Sequence, residues 1–326
     1  MNRREVLKVG LSGCAMLAAK GAAAAVDPAI PIIDTHIHLF DTGRPEGVPW
    51  PEKSDSVLYK PAMPDRYQRM AAPFGVVGAI AIEASPLASD NDWLLNVAAK
   101  SPLIVGAVGD LIPGSASYLR DLERLHANPL LLGIRYGNLW DRDLAIDKEK
   151  TGFIAGLKQL AAYGLVLESA NPNPALIAAI VDVADKVPEL RIVVDHLPHS
   201  PIPTDKNDRD KYVANLQRLA KNPNVFIKLT EIPATVNQKV SLDPEYYREH
   251  LDEIWNTFGE DHILFGSDWP NSDHVVGFSE TLKLVREYMS HKSATAREKY
   301  FWKNSVAAYR WVHRDGKQPQ SAKGEL

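Results

Sequence analysis

The stretch Ile32-Ile33-Asp34-Thr35-His36-Ile37-His38-Leu39-Phe40 is apolar except for one carboxylate, one hydroxyl and two imidazoles. A run of this length and composition reads as a buried β-strand. Side chains alternate along a strand, so His36 and His38 point to the same face. Two imidazoles side by side suit a metal ion or a polarised carbonyl oxygen.

Outward from this strand, short apolar β-rich runs alternate with amphipathic helical stretches. Strands are expected at 31–40, 76–85, 103–111, 130–137, 165–170, 190–197, 224–232 and 262–270. Helical patterns fall between them, at 93–98, 118–122, 175–186, 212–220, 246–258 and 278–289. Apolar strands alternating with helices imply a parallel sheet covered by helices. Eight such units without a break imply a single-domain α/β fold, a closed (β/α)8 TIM barrel. A doubly wound open sheet is the competing arrangement, but no Gly-rich dinucleotide fingerprint follows the first strand. The segment 41–65, rich in Pro and Gly, is long for a connection and leaves the strand that carries the histidines, where it could cover a pocket. A last helix over 294–312 is expected to pack outside the barrel.

The N-terminus, Asn2-Arg3-Arg4-Glu5-Val6-Leu7-Lys8 followed by a nearly uncharged run to Ala25, has the form of a twin-arginine secretory leader. Asn2 and Val6 stand where Ser or Thr and Phe are usual. The expected organisation is a leader over 1–25, a barrel domain over 26–326 and a periplasmic location. Lys20 and the shortness of the apolar run argue against a membrane span. Leu11-Ser12-Gly13-Cys14 also resembles a lipoprotein cleavage box, a minority reading that would leave Cys14 acylated. Cys14 is the chain's one cysteine, so the mature domain would have no disulfide, thiolate metal site or cysteine nucleophile. A formal net charge of -4 with no basic stripe argues against nucleic acid as a partner. The sequence sets no oligomeric state.

Barrel enzymes work at the C-terminal ends of their strands. Polar residues gather there: His36 and His38, Glu83, Asp110, Arg135, Glu168, His196, Lys228 and Glu231, and Asp268. Each would be costly in an apolar core unless paired or solvated. Singly, most have a bland reading, His196 as a core histidine, Asp268 as a turn cap, and Glu83, Asp110 and Lys228 as ion-pair members. The joint pattern carries the chemistry, because a histidine pair on the first strand and an acid on the last are neighbours where a barrel closes. A Gly-x-Ser-x-Gly elbow, a Walker loop and His-Glu-x-x-His are all absent.

Asp34-Thr35-His36-Ile37-His38, Gly133-Ile134-Arg135, Val194-Asp195-His196-Leu197, Val225-Phe226-Ile227-Lys228-Leu229 and Phe265-Gly266-Ser267-Asp268-Trp269-Pro270 together resemble the amidohydrolase-related (amidohydrolase 2) family. The likeness extends to Asn91-Asp92-Trp93-Leu94-Leu95 and Asn304-Ser305-Val306-Ala307-Ala308-Tyr309, and is strongest to its sugar-lactone and 2-pyrone-4,6-dicarboxylate lactonase branch. The resemblance implies a barrel in which His36, His38, His196 and Asp268 surround the reacting carbonyl. Many relatives add a fifth-strand histidine as a metal ligand, whereas 165–170 here contains Glu168 and no histidine. Some members of the lactonase branch work without metal, so the resemblance leaves one divalent ion, zinc, open, with His36, His38 and Asp268 as its remaining ligands. The branch's Gly-Lys after the sixth-strand His-Leu is Pro198-His199 here, and its Lys-Leu-Ser-Gly is Lys228-Leu229-Thr230-Glu231.

The expected reaction is hydrolysis of a small lactone, sugar-derived or carboxylate-bearing. Asp268 would activate water, and His36, His38 and His196 would polarise the carbonyl. Arg135, Glu83, Glu168, Lys228 and Trp93 are the candidate substrate contacts, Arg135 because its fork can bind two oxygens. A metal-dependent decarboxylase on the same barrel, hydrolysis of another small cyclic amide or ester, and a non-catalytic small-molecule-binding barrel are the rivals.

Overall fold

In the computed structural model, residues 30–236 and 239–320 are described. The expected leader and Cys14 lie outside the described residues. Eight apolar runs form the barrel strands: β1 (Ile32–His38), β2 (Val76–Ile82), β3 (Ile104–Gly109), β4 (Leu131–Arg135), β5 (Val166–Ser169), β6 (Arg191–Val194) and β7 (Val225–Leu229), then, after a small antiparallel ribbon of β8 (Thr235–Val236) and β9 (Lys239–Val240), β10 (Ile263–Phe265). Each barrel strand pairs in parallel with the next, in the order β1-β2-β3-β4-β5-β6-β7-β10. Closure comes from two backbone hydrogen bonds, His38 N to Trp269 O at 2.7 Å and Asp268 N to His36 O at 2.9 Å. That closure excludes the open doubly wound sheet.

The expected helices lie within Ala88–Lys100, Tyr118–His126, Pro174–Lys186, Lys206–Ala220, Glu245–Phe258 and Phe278–Met289. Asn173 and Asp205 cap two of them, each side chain accepting a backbone N–H of the first turn. Among the described residues no helix is long and apolar enough to cross a membrane.

Two expectations need correction. Strands end earlier than their apolar runs, because His196, Glu231 and Asp268 leave the sheet in the left-handed region, with φ of 51°, 58° and 58°. The last helix is broken into Ala294–Glu298, a π-helical turn over Lys299–Lys303 and Asn304–Tyr309. It packs Tyr300 and Phe301 against Phe265 of the outer layer, as expected, and also turns Trp302, Ala308 and Tyr309 toward Ile33, Val166, Phe226 and Leu264 of the barrel interior. The bulky aromatic residues of that segment explain the difference, since they fill the barrel's N-terminal end.

Register along β1 shifts between Asp34 and Ile37. The irregularity lets Asp34 reach outward while His36 and His38 face in. Asp34 Oδ1 accepts from His36 N at 3.1 Å and Ser267 N at 2.9 Å, and Oδ2 accepts from the Tyr67 hydroxyl at 2.5 Å. One buried carboxylate thus ties the first strand to the turn after the last. Gly266 permits the close approach there, because a Cβ at that position would fall 2.7 Å from His36 Cβ. Tyr67→Phe leaves a buried carboxylate oxygen without its donor and should lower the unfolding free energy by about 1.5–3 kcal/mol. Chemical denaturation checks this, and an unchanged midpoint would mean that Asp34 does not fasten the seam.

Candidate active site

At the C-terminal end of the barrel, three candidate ligand atoms converge. His36 Nε2 and His38 Nε2 are 3.2 Å apart. Asp268 Oδ1 is 3.4 Å from the first and 3.2 Å from the second. Donors arranged tetrahedrally about zinc at 2.0–2.1 Å stand about 3.3–3.4 Å from one another, so the triangle has the size that such an ion requires. Asp268 Oδ1 is buried without a hydrogen-bond partner, while its Oδ2 accepts from Asn271 Nδ2 at 2.7 Å. His38 Nδ1 faces two carbonyl oxygens, Ile82 O at 3.2 Å and Glu83 O at 3.0 Å. Carbonyls only accept, so the proton is on Nδ1 and the Nε2 lone pair looks into the site. The residues fit a single divalent cation.

His196 lies beside this triangle, its ring centre 4.7 Å from that of His36. Its Nδ1 is 2.6 Å from Thr230 Oγ1 and its Nε2 is 3.4 Å from Arg135 Nη2, which can only donate. Arg135 also donates from Nε to Asp195 Oδ2 at 3.0 Å and stands 3.5 Å from Glu83 Oε1. Glu83 Oε2 accepts from Trp140 Nε1 at 3.0 Å. Asp110 is paired by Arg142, which spans both its oxygens.

Below the floor runs a second layer. Lys228 is fully buried, with Nζ 2.5 Å from Glu168 Oε1, 3.0 Å from Asp195 Oδ1 and 3.0 Å from His36 Nδ1. Tyr309 donates its hydroxyl to Glu168 Oε2 at 2.7 Å. Burial and the negative Asp195 push Glu168 up to about 8, with Lys228 opposing. Burial also drives His36 well below its usual value, so its imidazole is neutral; to ligate through Nε2 it would have to carry its proton on Nδ1, facing Asp195 Oδ1 at 3.5 Å rather than accepting from Lys228.

The cavity above these groups, about 500 Å³ and open to solvent, is walled by His38, Glu83, Arg135, His196, Asp268 and also by Trp50, Trp140, Asn171, Glu231 and Asn271. The structure therefore brings His36, His38, His196, Asp268, Arg135 and Glu83 together. It does not bring Glu168 and Lys228 to the cavity wall; both are fully buried beneath it, which suits a supporting role and not substrate contact. Trp93 lines a neighbouring crevice instead, with the Arg44 guanidinium 5.1 Å over its ring.

Sequence reasoning assigned no role to Trp50, Trp140, Asn171 and Asn271, which come from loops without periodic signal. Asn271 was findable, three residues after Asp268 in the same turn. Trp50 comes from the 41–65 segment and places its ring 5.6 Å from that of His38, so this long connection does reach over the site. Glu231 was noticed as a departure in the seventh-strand motif, and the structure puts its carboxylate 3.6 Å from His196 Nδ1 and 3.4 Å from His199 Nε2.

Known proteins share this chain's sequence pattern and fold. L-fucono-1,5-lactonase of Burkholderia ambifaria is 26% identical over 244 residues, covering 74% of this chain and 80% of that protein. L-fucono-1,5-lactonase of Burkholderia multivorans is 24% identical over 288 residues, covering 84% and 94%. The crystal structure of an amidohydrolase from Burkholderia multivorans with bound zinc shares the fold, with a TM-score of 0.72, 22% identity and coverage of 86% of this chain and 99% of that one. The amidohydrolase family matches residues 33–311, which include every group of the site, and the chain belongs to that family.

Proposed function

We propose that this chain hydrolyses a small, neutral, hydroxylated lactone, and the observation that carries the reading is the triangle of His36, His38 and Asp268 at the mouth of the barrel. The relatives named L-fucono-1,5-lactonase support the choice of a sugar-type ring. A divalent ion such as zinc would be held by His36 Nε2, His38 Nε2 and Asp268 Oδ1 and would supply Lewis acidity and a more acidic water.

The chain's own residues do the rest. Asp268, fixed by Asn271, is placed to take a proton from the attacking water and return it to the ring oxygen that leaves as an alcohol. His196 presents Nε2 to a donor, so it accepts there, and the positive charge offered to the developing oxyanion on this side is that of Arg135. Asp195, Glu83 and His196 frame the guanidinium, leaving no free two-pronged edge for a substrate carboxylate. The cavity's remaining polar walls are carboxylates and amides, which suit hydroxyl groups, and Trp50 and Trp140 offer flat apolar faces to a ring. The carboxylate-bearing alternative is weaker for that reason.

Asp268→Asn should keep the fold and lower kcat for a sugar lactone by about 10² to 10⁴; unchanged turnover in folded protein would remove the assignment. Exhaustive chelation should abolish turnover and zinc should restore it, with elemental analysis tracking the change. Full activity in protein free of metal would overturn the cation reading. Burial, working against the carboxylates of Asp268 and Asp195, brings His196 down to about 4. Its unfolded counterpart binds protons below about 6.5, so stability from neutral His196 is present above that value and declines as the pH falls toward 4. Metal-free wild type should lose more thermal stability across this window than metal-free His196→Gln, and parallel curves would contradict the buried neutral imidazole.

A further inference from the structure

The reacting cavity does not end at Glu231. A second chamber, about 660 Å³ and also open to solvent, lies between the loop after β7 and the loop after β10, and Glu231, Asp268 and Asn271 are walls of both spaces. The partition is thus made of the general base and two side chains that can hydrogen-bond on either side.

The far chamber has its own chemistry. Ser272 and Thr281 line it, and both hydroxyl oxygens are buried without a protein partner. Unsatisfied buried hydroxyls are uncommon and leave two hydrogen-bonding groups beside this chamber for water or a ligand to meet. Ile232 and Pro233 supply apolar surface, and none of its lining residues is Lys or Arg. His274, another wall, is fixed by Asp55 Oδ2 at 2.9 Å, which ties this chamber to the same 41–65 segment that sends Trp50 over the first cavity. Glu231 adopts a left-handed backbone, φ 58°, where glycine would be free of strain. Its side chain lines both chambers, so it can hydrogen-bond a ligand in either.

Resting on the lactonase reading, we infer that the second chamber is a subsite for an uncharged, hydroxylated ring carried by the lactone, so that the preferred substrate has two linked sugar rings. The absence of Lys and Arg from the wall, with both wall imidazoles already facing carboxylates, His199 facing Glu231 and His274 facing Asp55, makes a phosphate or uronate substituent a poor occupant. The lactone ring lies over His36, His38 and Asp268, and the second ring passes Glu231 and Asn271 to the Ser272 and Thr281 hydroxyls.

The test compares kcat/KM, by pH-indicator assay, for cellobiono-, maltobiono- and melibiono-1,5-lactone against glucono- and galactono-1,5-lactone. The best two-ring lactone should exceed the best single-ring one by about tenfold or more. Ala234→Trp, which fills the chamber from its wall, should lower that ratio by a similar factor, with a thermal melt confirming that the variant is folded. Hydrolysis of the single-ring lactones with equal or poorer use of every two-ring lactone would overturn the subsite alone. A two-ring preference that Ala234→Trp leaves intact would also overturn it. Failure to hydrolyse any lactone of the panel would remove both the subsite and the lactonase reading.

Discussion

The hydrogen bonds that close the barrel are the ones that assemble its chemistry. His38 N to Trp269 O and Asp268 N to His36 O join the first strand to the turn after the last. Three of the four residues that exchange these bonds, His36, His38 and Asp268, are the ones whose side chains converge. Without closure at this register, a carboxylate 230 positions away in the chain would have no reason to lie 3.2 Å from His38. Asp34 reinforces the seam from outside the barrel, so fold stability and site geometry share one set of contacts. Strain gathers at the same place, since His196, Glu231 and Asp268 all hold positive φ. A well-packed barrel can hold such backbone conformations, and they aim side chains inward from the strand ends.

Beneath the mouth, a buried charge layer fixes the orientation of the groups above it. Lys228 faces Glu168, Asp195 and His36, Arg135 shares Asp195 and adds Glu83, and Tyr309 rises from the C-terminal segment to Glu168. Removing one member would leave an uncompensated buried charge, which costs far more than the pairing contributes. This layer couples the barrel's N-terminal plug to its catalytic end. The polar residue of the fifth strand, Glu168, belongs to that layer.

Much of this was legible in the sequence because strand alternation and parallel-sheet burial leave strong patterns. The eight apolar runs located every barrel strand, and the i, i+2 spacing put His36 and His38 on one face. The position of Asp268 after the final run placed it at the seam. Other features lacked a local signal. Strand ends were drawn too far because Asp195-His196-Leu197 and Ser267-Asp268-Trp269 look as strand-like as the residues before them, and the left-handed turn depends on tertiary contacts. Glu168 and Lys228 end their strands as Glu83 does, but only the three-dimensional arrangement shows that they turn to each other under the floor. The cavity's tryptophans and asparagines come from loops, where no periodicity marks them.

The central claim is that two imidazoles and a carboxylate form a single cation site facing a cavity shaped for a neutral ring. The most direct measurement is anomalous diffraction at the zinc absorption edge from crystals of protein purified with zinc. A single strong peak is expected within bonding distance of His36 Nε2, His38 Nε2 and Asp268 Oδ1, on the cavity side of Lys228. The absence of a peak there in crystals of enzyme that is fully active, or a peak at another cluster, would contradict it.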